Sequence, residues 1–110
     1  DTTPPFEPSL RLPADNSSFA DTATINFTWQ NPTDISGTVG GFKSNVSSVL
    51  EIASDSSFAP STIIKTINSV TGSETYSIGT VGVFYWRMYT FDEANNVSYF
   101  YSPFRKITTF

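Results

Sequence analysis

The chain contains neither cysteine nor histidine. Without cysteine there is no disulfide framework, no thiolate nucleophile and no Cys-ligated zinc, and the redox compartment is not readable from this residue. Without histidine the commonest general base and metal ligand is missing, which removes Ser-His triads and His-based zinc sites. Cations are also scarce: Arg11, Lys43, Lys65, Arg87, Arg105 and Lys106 lie scattered along the chain. No basic stripe exists to neutralise phosphates, so neither nucleic-acid binding nor attraction to an anionic membrane is expected. No apolar run approaches a membrane span and no leader peptide is visible, so the stretch reads as a mature or excised module without membrane insertion. Helix signals are nearly absent, since Ala and Leu are few and no long 3.6-residue apolar repeat occurs.

What remains is aromatic and β-branched. The 110 residues are 38% hydrophobic and 15% aromatic, with a net charge of −4. That is one domain with enough apolar material for a core, despite its many Ser and Thr residues. Asp1–Pro8, with three prolines and no pattern, reads as a linker, leaving 9–110 as a single domain. Ser9–Pro13 reads as a first edge strand and Asp15–Asp21 as a turn. Over Thr22–Trp29 the residues Ile25, Phe27 and Trp29 share one face, which predicts a half-buried strand. Asn31–Gly41 reads as loop. Val46–Ser54, Thr62–Ser69 and Glu74–Ile78 follow as strands, with Leu50 and Ile52 in the core. Val83–Phe91 is the strongest strand, alternating Phe84, Trp86 and Met88 with Tyr85, Arg87 and Tyr89. Asp92–Asn96 reads as a turn, and Val97–Phe110 as a last strand, broken or bulged at Pro103. Trp29 and Trp86 both fall on apolar faces and read as core. The count is about seven strands at sandwich-like spacing, an all-β antiparallel sandwich with Greek-key connections.

The order of several segments resembles the fibronectin type III-like modules of microbial cell-surface and secreted proteins. Asp1-Thr2-Thr3-Pro4-Pro5 is similar to the linker opening such repeats. Leu12-Pro13-Ala14-Asp15 followed by Phe27-Thr28-Trp29 resembles their first two strands, and Leu50–Phe58 their third strand and turn. Gly82–Met88 resembles their tyrosine-rich sixth strand, and Asp92–Ser98 the turn into the last. Two departures stand out. Phe84 holds the position where a tyrosine hydroxyl often bonds back to the chain. Asn95 replaces the turn's usual glycine, a substitution a left-handed backbone tolerates. The stretch Thr38–Ser48 is longer than the family norm. The resemblance implies an extracellular spacer, an adhesive unit or an accessory domain beside a catalytic one.

Chemistry-bearing clusters are hard to find. Asp92 and Glu93 are adjacent, and turn capping accounts for them better than paired-carboxylate catalysis. The acids at Asp15, Asp21, Asp34, Asp55 and Asp92 are single turn residues without calcium-loop spacing. No glycine-rich phosphate loop precedes a helix. Neither a metal site nor a cofactor is expected, and the chain does not read as an enzyme. Four sequons, at Asn16, Asn26, Asn45 and Asn96, mildly exceed chance and are the candidate N-glycosylation sites of a glycoprotein. The most suggestive surface is aromatic: Tyr85, Arg87 and Tyr89, joined by Tyr99 and Tyr101 of the last strand, form a candidate binding face. Such rings either take a polysaccharide or a neighbouring module, or only stabilise the sheet through cross-strand pairs, the simpler account. The expected function is therefore a non-catalytic extracellular structural or adhesive module, acting as a rigid spacer or interaction repeat. Its partners would be neighbouring modules or other extracellular proteins. A carbohydrate-binding accessory module and a self-assembling subunit of a surface layer or filament are the alternatives.

Overall fold

A computed structural model describes residues 8–31, 34–39, 42–44, 46–92, 97–98 and 101–110. Ten strands lie among them: β1 Ser9–Leu12, β2 Ser17–Phe19, β3 Ile25–Gln30, β4 Asp34–Val39, β5 Phe42–Ser44, β6 Val46–Ala53, β7 Ile63–Ser69, β8 Ser73–Tyr76, β9 Gly82–Asp92 and β10 Arg105–Thr109. One sheet has the order β1-β3-β8, a second the order β2-β10-β9-β6-β7, and β4-β5 form a separate hairpin. All pairings are antiparallel except β2 with β10. The chain passes from one main sheet to the other between β1 and β2, β2 and β3, β3 and β6, β7 and β8, and β8 and β9.

Alternation explains the closure of the two sheets. Ile25, Phe27 and Trp29 of β3 are buried, while Asn26 and Gln30 are exposed. Phe84, Trp86, Met88 and Thr90 of β9 are buried, and the residues between them are half-buried. These faces meet Leu50, Ile52 and Ile107 in one core. Phe27 and Trp86 touch across it edge to face, with ring centroids 5.0 Å apart, a geometry that the aromatic quadrupole favours. Both tryptophans are core residues, as their alternation predicts.

Several expectations change. The predicted turn at Asp15–Asp21 contains β2, whose short polar run, Ser17-Ser18-Phe19, shows no alternation. Its parallel pairing with β10 supplies the ladder that the local sequence does not announce. The predicted loop at Asn31–Gly41 carries β4, paired with β5 in a hairpin. The last strand is only Arg105–Thr109. Together these account for ten strands where about seven are expected. The linker reading falls largely on residues 1–7, outside the described residues, as does most of the turn at Asp92–Asn96.

Candidate functional site

The outer face of the five-stranded sheet carries a second packed layer. On β6, Val49, Glu51 and Ala53 point away from the core and are nevertheless buried. That is why Val49-Leu50-Glu51-Ile52-Ala53 shows little hydrophobic alternation: both faces of this central strand are covered. Phe58 supplies part of the cover. It sits at φ 55 in the turn after β6, a left-handed conformation costly for a bulky residue. The Asp55 carboxylate accepts the Ser57 N–H at 2.9 Å and fixes that turn. Hydrogen bonding from the Ser57 side chain, and then from its N–H, holds the Asp55 carboxyl below its ordinary value.

Arg87 is the centre of the layer. Its Nε donates to Glu51 Oε1 at 2.9 Å. Its guanidinium lies 4.2 Å from the Phe58 ring centroid and 3.5 Å from that of Tyr101. Tyr89 meets Tyr101 edge to face at 5.2 Å, and Tyr85 meets Phe104 in the same way at 5.6 Å. Burial, then Tyr101, then Glu51 push the Tyr89 hydroxyl above its ordinary range.

Tyr101 reaches Arg87 because the chain bulges before β10. Ser98 N–H donates to the Thr90 carbonyl and Ser102 N–H to the Met88 carbonyl, at 2.7 and 2.8 Å. In return, Ser98 Oγ accepts the Thr90 N–H and Ser102 Oγ the Met88 N–H, at 3.2 and 3.0 Å. Met88 and Thr90, two positions apart on β9, thus face Ser102 and Ser98, four positions apart and both buried, so the register shifts between the two serines. The expected break or bulge at Pro103 fits a last strand that begins only at Arg105, but it does not point to Ser98 and Ser102, which set the register shift.

Of the predicted face, the structure brings together Tyr85, Arg87, Tyr89 and Tyr101, while Tyr99 lies outside the described residues. Tyr85, Arg87 and Tyr89 are half-buried supports. The exposed rings are Tyr101, at 43%, and Phe104, at 50%. The sequence does not point to Phe104, because the residues around Pro103 offer no alternation to orient it. Phe104 also walls a cleft of about 370 Å³ that reaches Ser9, Leu10, Asp15 and Arg105. Arg105 braces the cleft by donating to the carbonyls of Leu10, Arg11 and Pro13 at 2.7–3.1 Å. Among the sequons, Asn16 and Asn26 are exposed, and Asn45 and Asn96 lie outside the described residues. No cluster of three or more Asp and Glu that could hold a metal ion occurs among the described residues.

The two poles of the sandwich are also defined. Ser9 pairs with Gln30 at the end of β3. Phe110 exchanges backbone hydrogen bonds with Phe19 and Asp21, just before β3 begins. The chain therefore enters at one pole and leaves at the other.

No family model and no curated protein matches the chain. Among solved structures it is similar to the PKD domain of an M14-like peptidase from a Thermoplasmatales archaeon, with a TM-score of 0.67 and 16% identity over 99% of this chain and 98% of that one. The fold is an immunoglobulin-like β-sandwich. The likeness is to a PKD domain, and it supports the immunoglobulin-like class that the sequence resemblance implies without singling out fibronectin type III.

Proposed function

We propose that the chain is a non-catalytic module of a cell-surface or secreted protein, acting as a rigid spacer or interaction repeat of the fibronectin type III-like kind. The observation that carries this reading is the placement of entry and exit at opposite poles. The two ends of the described fold are separated by at least the length of β3, about 20 Å at ~3.3 Å per residue. A module so connected adds its own length to any chain of modules, whereas adjacent ends would fold the chain back. The long axis of 51 Å, against 23 and 18 Å in the other directions, supports the same reading. Exposed sequons at Asn16 and Asn26 fit an extracellular glycoprotein, and neighbouring modules or other extracellular proteins are the partners it implies. Small-angle scattering on two copies joined in series tests it. The expected result is a maximum dimension close to twice that of one copy. A pair no longer than a single copy would refute serial spacing.

A further inference from the structure

Tyr101 and Phe104 are large, half-exposed rings three residues apart, and each is held from the side by another ring. Tyr101 is also backed by the Arg87 guanidinium. Rings fixed in this way lose little side-chain freedom when something settles on them. Phe104 continues into the cleft that Ser9, Asp15 and Arg105 line with polar groups. The arrangement is a pair of exposed rings beside a groove with polar residues in its walls.

We propose that Tyr101, Phe104 and this cleft bind one chain of a neutral polysaccharide, with sugar C–H faces on the rings and hydroxyls toward Ser9 and Asp15. Area argues against a protein partner. Two half-exposed rings of ~200 Å² each offer roughly 200 Å² between them, whereas a stable protein interface needs about 800 Å² per side. Charge argues against an acidic glycan. Arg87 is neutralised by Glu51 at 2.9 Å, Arg105 is turned onto backbone carbonyls, and the whole chain carries −4. Lys106, opposite Tyr85 in the β10–β9 register, is the cation a polyanion would use.

Affinity electrophoresis through gels holding barley β-glucan, arabinoxylan, galactomannan or dextran tests the proposal. At least one polymer should retard the parent. Tyr101→Ala and Phe104→Ala should each weaken retention about tenfold, ~1.4 kcal/mol, and their combination should abolish it. Tyr101→Phe and Phe104→Tyr, which keep the rings, should bind like the parent and guard against a folding artefact. Lys106→Gln and added salt should change nothing. No retardation of the parent by any of the four polymers would overturn the proposal. So would retention that survives the double alanine variant, or retention lost with Lys106. The proposal does not rest on the spacer reading, whose scattering test stands apart from these outcomes.

Discussion

Trp29 donates its indole N–H to Asn31 Oδ1 at 2.9 Å, and Asn31 also accepts from the Ser48 hydroxyl. The Trp86 indole N–H is buried and has no acceptor among the described residues. A buried donor left unpaired costs about 1–3 kcal/mol, while a made bond contributes ~1 kcal/mol net. Trp86→Phe should therefore destabilise the chain less than Trp29→Phe, by roughly 1 kcal/mol or more in urea unfolding. The reverse ranking would contradict this assignment of partners. Arg87→Ala should cost about 2–3 kcal/mol, between the ~0–1 of an exposed pair and the ~3–5 of a broken buried pair, because it strands Glu51 and uncovers Phe58 and Tyr101. A loss under ~0.5 kcal/mol in the same assay would show the layer to be ornamental. Two residues set pH limits. Tyr89 titrates above its ordinary 10.0 in the folded chain, so its contribution is complete below pH 10 and is lost as pH rises through the folded value. Asp55 titrates below its ordinary 3.8, so its contribution is present above that pH and is lost on further acidification. In acid titrations followed by circular dichroism, Asp55→Asn should be less sensitive to pH in that window than the parent. Equal sensitivity would remove the role of this carboxylate.

At the scale of elements, β7 is the edge of the larger sheet and, among the described residues, pairs only with β6. Its run Ile63-Ile64-Lys65-Thr66-Ile67 has the composition that invites edge-to-edge pairing. Lys65 lies opposite the core residue Ile52, and its ammonium sits 5.8 Å from the Tyr76 ring centroid. An inward-directed charge of this kind guards an edge. Lys65→Val should raise self-association in sedimentation velocity, and a variant as monomeric as the parent would show that the guard lies elsewhere. The strands that alternate, β3 and β9, were readable because one face of each meets a shared core and the other does not. β6 is readable as a strand with Leu50 and Ile52 in the core, as the structure has them, but the burial of Val49, Glu51 and Ala53 on its outer face is not, because it depends on the aromatic layer that covers them. β2 and the β4–β5 hairpin were not readable, since their pairings depend on partners distant in sequence or on turn geometry rather than on hydrophobic pattern. The candidate face was half readable. The parity of Tyr85, Arg87 and Tyr89 followed from the strand, but the bulge that places Tyr101 over Arg87 and exposes Phe104 is set by Ser98 and Ser102. Ser102→Ala would leave the buried Met88 N–H without its acceptor, an expected loss of about 1–3 kcal/mol.

For the whole molecule, the spacer reading, the aromatic layer and the cleft all depend on two sheets closing over one core. Only that closure turns β9 into a strand with one face in the core and the other under the aromatic layer, and only that closure sets entry and exit at opposite poles. The most direct test is solution NMR of the Trp86 indole. The account predicts cross-relaxation between its ring protons and the ring of Phe27 in the opposite sheet, whose centroid is 5.0 Å away, together with slow exchange of the indole N–H. A rapidly exchanging indole with no contact to Phe27 would contradict the sandwich and the functional readings built on it.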